Sequence, residues 1–356
     1  MKLLQSPLVA ALREPARMAG FDAAEWTLAI RQARSAGLLG RLGVLALERG
    51  AAPDAPPAVA RHLRAMMSVA DKQAGAVHWE ARHLSRAVGS RGVPVVLLKG
   101  AAYAAAGLPA AVGRTFTDID ILVAKDQLPE AERLLFVGGW TTGSLDPYDE
   151  RYYRRWMHEL PPMQHLVRGT PLDVHHNILP ETARIRTRPD LILAAAEPLP
   201  GCAGLFIPSR HDQILHSATH LFHEGEWEHG LRDLSDLDLL LRAYAASDAG
   251  FWTGLLARAR ALHLERPLHY ALRYAAAVLQ TPVPQTVLQA LPGGPLSPLM
   301  DALFMNGFSS AHASCRGPWT GLAQFFLYVR SHWLRMPVHL LAPHLLHQAL
   351  RRETVD

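Results

Sequence analysis

The sequence predicts an α+β fold, in which a small mixed β-sheet core is embedded between an N-terminal helical segment and a larger C-terminal all-helical region. Apolar residues recur at helical spacing through residues 1–91 and again through residues 201–356. Between them, in residues 92–200, short apolar runs alternate with helical segments and turn residues, which is typical of the strands of a mixed sheet. We therefore expect three units with these boundaries.

The composition indicates a globular protein of the reducing cytoplasm. Of the 356 residues, 49% are hydrophobic and 19% are charged, and the formal net charge of +4 gives no indication of nucleic-acid binding. Cys202 and Cys315 are far apart and have neither metal-site nor disulfide spacing. Gln5, Ser6 and Pro7 interrupt the apolar N-terminus, which makes it a poor signal peptide. No apolar run is long enough for membrane insertion, so we expect a cytoplasmic protein.

The N-terminal segment is predicted to be helical throughout. Trp26–Glu48 has apolar residues at helical spacing, and Ala51–Pro57 is a proline- and alanine-rich linker. A long helix should follow from Pro57 to Gly89. Nothing in this segment carries evident chemistry, and we interpret it as a packing or lid element.

The core begins with the stretch Pro94–Val123, which reads as a strand, an alanine-rich helix that begins at Lys99 and Gly100, and a second strand. On that second strand, Asp118 and Asp120 should point to the same face, about 6–7 Å apart, because side chains alternate along a strand. Two carboxylates on one face repel each other unless a cation lies between them. The alternative is a turn residue followed by a solvated charge, since D-x-D often occurs by chance.

Two helices and a β-hairpin complete the predicted core. Their expected bounds are Asp126–Phe136 and Tyr148–Glu159 for the helices, and Met163–Arg168 and Pro171–Asn177 for the hairpin. Alternation in the last strand places Asp173 and His175 on one face. Asp173 would complete a carboxylate cluster able to hold one or two Mg²⁺ (or Mn²⁺) ions, or would accept a proton. His175 would orient that carboxylate or contact phosphate, although a structural strand histidine is an equal alternative.

Three residues near the first strand could bind a phosphate group. Lys99 and Gly100 lie at a strand-to-helix junction, where backbone N–H groups favour an anion and a glycine permits close approach. Arg114 could add a bidentate phosphate contact. The alternatives are a helix-start glycine with an extended lysine, and an exposed loop arginine.

The C-terminal region is predicted to be helical to its end. The expected helices are Ser209–His223, Leu231–Tyr244, Trp252–Leu262, Arg266–Leu279, Pro284–Leu291, Leu299–Asn306, Trp319–Met336 and Val338–Arg351. His216, His220 and His223 share one helix face next to Glu224, which could form a zinc site, but H-E-x-x-H and nearby cysteines are missing. We interpret this face as packing against the core and contacting nucleotide or substrate.

The strings LLKG, GRTFTDIDILV and LDVHHNI resemble the bacterial uncharacterised nucleotidyltransferase family, a divergent branch of the polymerase β-type nucleotidyltransferase superfamily. The resemblance spans roughly residues 60 to 245 and makes residues 92–200 the nucleotidyltransferase-like core. It implies Mg²⁺-dependent transfer of an NMP from an NTP to an acceptor, with pyrophosphate release. The implied catalytic and metal residues are Asp118, Asp120 and Asp173. The implied nucleotide-binding residues are Lys99, Gly100, Arg114, His175 and Asp236.

The resemblance also leaves alternatives. The superfamily usually has Gly-Ser after the first strand, whereas this chain has Lys99-Gly100. A non-catalytic nucleotide-binding or adaptor protein that retains the fold is therefore the alternative function. As acceptor we expect a peptide, a small metabolite or a sugar derivative rather than nucleic acid. The candidate RNA-binding stripe, Arg151–Trp156, is interpreted as a helix that lines the cleft.

Overall fold

The computed structural model describes residues 2–143, 147–223, 225, 227–291, 293–294, 297–337 and 341. Within these residues the chain has the predicted α+β fold, with a mixed sheet among helices. None of the described helices combines the length and apolar character needed to span a bilayer.

The described elements are as follows. The helices are α1 Pro7–Arg13, α2 Ala23–Ser35, α3 Leu39–Gly43, α4 Pro57–Ala87, α5 Lys99–Ala105, α6 Leu128–Val137, α7 Pro147–Trp156, α8 Pro189–Ala194, α9 Arg210–His223, α10 Gly230–Ser247, α11 Phe251–Leu262, α12 Glu265–Leu279, α13 Gln285–Gln289, α14 Ser297–Phe308 and α15 Thr320–Arg335. The strands are β1 Val95–Leu97, β2 Ile119–Leu122, β3 Trp140–Thr142, β4 Met163–His165, β5 Pro171–His175, β6 Glu197–Pro198 and β7 Leu205–Ile207.

The described sheet has seven strands in the order β3-β4-β5-β2-β1-β7-β6. β2 lies near its centre, antiparallel to β1 and parallel to β5. In the β2–β5 register Asp120 lies opposite Asp173, and Ile121 lies opposite Val174. Ile121 and Val174 are fully buried. The predicted alternation is therefore present, with apolar side chains in the core.

One strand overturns the prediction of helix from residue 201 onward. Leu205–Ile207 is β7, which pairs in parallel with β1 and antiparallel with β6. A run of three apolar residues is too short for its periodicity to separate strand from helix. Pairing with β1 makes this segment a strand. A local pattern cannot indicate that pairing, because β1 lies more than 100 residues earlier in the chain.

Three other predicted bounds also differ. β2 begins at Ile119, so Asp118 precedes the strand. α7 ends at Trp156. The chain then runs beside β5, where the backbone N–H of Leu160 donates to the carbonyl of Val174. The helix predicted at Asp126 begins at Leu128 without a side-chain cap. The predicted helix Val338–Arg351 falls outside the described residues, except for position 341.

The predicted long helix is confirmed as α4, which packs against α5, α6 and β7. A buried ion pair connects α4 to the β4–β5 hairpin. Glu80 accepts hydrogen bonds from Arg168 Nε at 2.6 Å and Nη2 at 2.9 Å, and from the Thr170 hydroxyl at 2.8 Å. The Arg168 guanidinium also lies 4.8 Å from the Trp140 ring centroid. This cluster joins the N-terminal helices to the sheet.

We expect Glu80→Ala to lower the free energy of unfolding by about 3 kcal/mol, because it leaves the largely buried Arg168 cation without its carboxylate partner. Urea unfolding followed by circular dichroism measures the change. Glu130→Ala is the matched control, since Glu130 and Arg133 form an exposed pair within one helix and should contribute little. Equal stability of the two variants would contradict the importance of the buried pair.

Candidate active site

A cleft of about 810 Å³ lies beside β2 and β5. It brings together the eight site residues predicted from the sequence: Lys99, Gly100, Arg114, Asp118, Asp120, Asp173, His175 and Asp236. Side chains of α9, α10 and α15 line the same cleft, among them Ser217, Asp233 and Gln324. The predicted site residues and the side chains of the three helices therefore line the same cavity.

Asp120 is the most enclosed of the three predicted metal-binding carboxylates, and both of its oxygens have partners. Lys99 Nζ lies 3.5 Å from Oδ2, and His175 Nε2 lies 3.0 Å from Oδ1. Burial by itself would raise the pKa of Asp120, but the Lys99 charge and the His175 hydrogen bond lower the pKa well below its usual range. Asp120 is therefore ionised at neutral pH.

The backbone of Lys99 is strained. Its φ of +44° lies in the left-handed region, which costs a non-glycine residue about 1 kcal/mol or more. The strain occurs where β1 turns into α5, and there the Lys99 ammonium reaches Asp120. Such strain persists at sites that the surrounding structure holds in place. The predicted phosphate-binding lysine is thus also a counter-ion of the carboxylate strand.

Asp173 has the opposite electrostatic environment. Burial and then the negative charge of Asp120 raise its pKa to about 6. Asp118 lies at the mouth of the cleft, where it accepts a hydrogen bond from the Thr117 hydroxyl at 3.1 Å. Three carboxylates thus line one wall, and the charge of Asp173 is poorly compensated. Oxygen donors with excess negative charge fit a hard divalent cation such as Mg²⁺ or Mn²⁺.

Glu159 is a member of this site that the sequence analysis missed. Its Oε2 lies 3.2 Å from His175 Nδ1, so the His175 ring bridges Glu159 and Asp120. Burial by itself would lower the pKa of His175, but the hydrogen bond to Asp120 and the two carboxylate charges raise it. Glu159 was assigned to the end of a helix, whereas it pairs with β5 as an isolated bridge.

The same corner contains a second potential metal-ligand set. In the described ranges, His158, Glu159 and His175 form a group whose ligand atoms lie within 4.8 Å of one another. The predicted trio of aspartates does not form so compact a group among those residues. Mixed nitrogen and oxygen donors suit Mn²⁺ and other transition metals better than Mg²⁺.

A buried ion cluster forms the other end of the cleft. Asp236 of α10 binds Arg114 Nε through Oδ2 and Arg41 Nη2 through Oδ1, both at 2.8 Å. Arg41 also donates to the Ser235 hydroxyl at 2.9 Å. Asp236 therefore holds Arg114 in one orientation. Arg41 comes from the segment in which no chemistry was expected, and no local pattern could have linked it to a residue 195 positions later.

Two glycines permit this arrangement. A Cβ on Gly100 would overlap the Arg114 guanidinium and lie 2.9 Å from the Phe116 ring. Gly113 has a φ of +66°, and a Cβ there would lie 2.6 Å from the backbone nitrogen of Arg41. The glycine after Lys99 thus makes room for Arg114, and close approach of a phosphate at Gly100 stays a prediction.

The histidines of α9 divide between core and cleft. His216 and His223 are buried, while His220 lines the cleft. Burial, followed by the charge of Lys99, lowers the pKa of His216 well below its usual value and keeps the ring neutral. The three histidines form no compact metal group among the described residues, and Glu224 lies outside them. Packing against the core therefore accounts for most of this face.

The basic segment in α7 is already paired where it is described. Arg154 donates to Glu132 at 2.6 Å and also pairs with Glu150. The side chains of Arg151 and Arg155 fall outside the described residues. That nucleic acid is not the partner stays a prediction.

Comparison with known families supports the resemblance. The family model described as uncharacterised nucleotidyltransferase matches residues 22–280, which is most of the chain. The chain belongs to this family. The match begins far before residue 60 and includes Arg41 as well as Asp236. Comparison with the curated proteins and with the solved structures gave no match.

We expect Asp173→Asn to stabilise the metal-free protein at neutral pH. The pKa of Asp173 is about 6 in the folded state and about 4 when unfolded. Folding therefore opposes ionisation, and this destabilisation grows as pH rises from about 4, reaching about 3 kcal/mol at pH 7. In EDTA the variant should exceed the wild type by that amount at pH 7 and by little near pH 4.

Urea unfolding at several pH values measures this difference. Asp126→Asn is the control, because Asp126 is exposed and does not line the cleft. A variant that is no more stable than wild type at pH 7 would contradict the uncompensated charge at Asp173.

Proposed function

We propose that this protein is an Mg²⁺- or Mn²⁺-dependent nucleotidyltransferase, which moves an NMP from an NTP to an acceptor and releases pyrophosphate. The observation that carries the proposal is the single cleft in which Asp118, Asp120 and Asp173 lie near Lys99 and Arg114. Membership of a nucleotidyltransferase family supports the same reaction class.

The reaction exchanges one phosphorus–oxygen bond for another. An acceptor hydroxyl oxygen forms a bond to the α-phosphorus, the bond from that phosphorus to the bridging oxygen breaks, and pyrophosphate leaves with the electron pair. Asp118, Asp120 and Asp173 would hold a divalent cation, which when bound would supply charge stabilisation at the phosphate oxygens. Asp173 would serve either as the third ligand of this cation or as the base that accepts the hydroxyl proton.

Other side chains orient these groups. Lys99 and Arg114 bind the negatively charged triphosphate, and Asp236 and Arg41 keep the Arg114 guanidinium in place. Through His175, Glu159 restrains the carboxylate of Asp120. These contacts act before any chemistry, because they fix the geometry in which substrates meet.

The acceptor is assigned to the helical wall of the cleft. This wall contains Ser217 and His220 of α9, together with Trp227 before α10 and Gln324 of α15. Such polar and aromatic side chains suit a small polar acceptor: a peptide, a metabolite or a sugar derivative. Nucleic acid is not proposed as the acceptor.

We expect Asp120→Asn to lower transfer by at least about a thousandfold, because the carboxylate would no longer neutralise a bound cation. The assay follows a labelled NMP from each of the four NTPs into candidate acceptors in the presence of Mg²⁺ or Mn²⁺. Asp126→Asn serves as the control with full activity. Transfer that survives the double substitution Asp118→Ala/Asp120→Ala would overturn the assignment of the metal site.

Nucleotide binding is tested separately by calorimetry. Lys99→Met should weaken NTP binding about tenfold or more, since one charge-assisted contact is lost. Lys125→Met is the matched control, because Lys125 pairs with Glu181 on the surface and does not line the cleft. Metal-dependent binding without turnover across a broad acceptor screen would favour the adaptor function instead.

A further inference from the structure

Helix α15 has an unusual distribution of side chains. Its packed face consists of Thr320, Ala323, Leu327 and Ser331, which are buried where α15 meets α9 and α14, so Leu327 is the one large apolar side chain among them. Its outward face is large and apolar, and each of its six main side chains is 46–59% exposed. These six are Leu322, Phe325, Phe326, Tyr328, Val329 and Trp333. An ordinary surface helix has the reverse arrangement, with its large apolar side chains facing the core.

This outward face forms one continuous surface. The six side chains recur at spacings of one to four residues along a helix of 16 residues, which is about 24 Å long. Trp319 lies directly before the helix and is 67% exposed. Exposed apolar residues are ordinary when they are scattered, but a contiguous patch of this kind marks an interaction site.

A positive charge lies at one end of the patch. Residues 302–337 contain three arginines and no aspartate or glutamate, and two of the three, Arg330 and Arg335, donate inward to backbone carbonyls of α9. The exposed Arg184 places its guanidinium 3.8 Å from the centroid of the Trp333 ring and donates from Nε to the Trp333 carbonyl at 3.0 Å. A complementary partner is therefore apolar and carries negative charge.

From these observations we infer that α15 docks on the surface of an anionic lipid bilayer. The helix lies in the plane of the interface, with its aromatic face inserted at the boundary between headgroups and acyl chains. Trp, Tyr and Phe favour this depth, and Arg184 would contact lipid phosphates. Pairing of α15 with a second copy of the chain is the alternative that the experiment below distinguishes.

The docking would place the cleft close to the membrane. Gln324 and Arg335 belong to α15 and line the cleft, so the cavity lies about one helix diameter, about 10 Å, from the headgroups. The family match ends at residue 280, before α15. The inference concerns this surface and does not depend on the reaction proposed for the cleft.

Co-sedimentation of the full chain with lipid vesicles tests the inference. Vesicles of phosphatidylcholine with phosphatidylglycerol should bind the protein, vesicles of phosphatidylcholine alone should bind it less, and salt should weaken the binding. Phe326→Ser/Trp333→Ser should reduce the affinity for the vesicles at least about tenfold, because two large apolar side chains are no longer transferred from water into the bilayer. Arg184→Gln should reduce it several-fold on anionic vesicles only.

The matched control is Phe136→Ser/Val137→Ser, which removes two exposed apolar side chains from α6 and should leave vesicle binding unchanged. Circular dichroism and thermal unfolding establish that each variant is folded, and Leu322→Ser/Phe325→Ser is the second test variant. Absence of binding by the folded wild type would overturn the inference. So would a dimer, seen by light scattering, that the α15 variants abolish.

Discussion

The pairing of β2 with β5 is the constraint on which the site depends, because it places the carboxylates of Asp120 and Asp173 opposite each other. The two positions receive different compensation. Lys99 and His175 neutralise Asp120, whereas Asp173 remains poorly compensated and its pKa rises to about 6. One strand pair therefore holds an ionised carboxylate beside a group that favours either a proton or a cation. This asymmetry is the physical basis for the metal-dependent reaction that we propose for the cleft.

The Asp236 cluster connects parts of the chain that the sequence analysis treated separately. Arg41 comes from the N-terminal helices, Arg114 from the core and Asp236 from the C-terminal helices. The ion pairs of a buried carboxylate with two guanidinium groups are costly to break. These pairs therefore keep the three segments in fixed positions at the cleft. The N-terminal helices therefore contribute to the site, and they do more than pack against it or cover it.

Local patterns predicted most of the fold. Helical periodicity identified the long helix α4 and most of the C-terminal helices, and strand alternation put Asp173 and His175 on the cleft face. The errors occur in short segments. β7 has three residues, and Glu159 follows a helix that ends earlier than its sequence suggests. In both cases a hydrogen bond to a distant strand decides the conformation, and local propensity cannot contain that information.

By itself, the sequence determined the class of the fold, the eight predicted cleft residues and the resemblance to a nucleotidyltransferase family, because these depend on periodicity and short strings. Only the tertiary structure decided that Arg41 and Glu159 belong to the site, that Gly100 makes room for Arg114, and that α15 turns most of its large side chains outward. Each of these depends on contacts between residues far apart in the chain. Such contacts arise from packing, which no local spacing of residue types specifies.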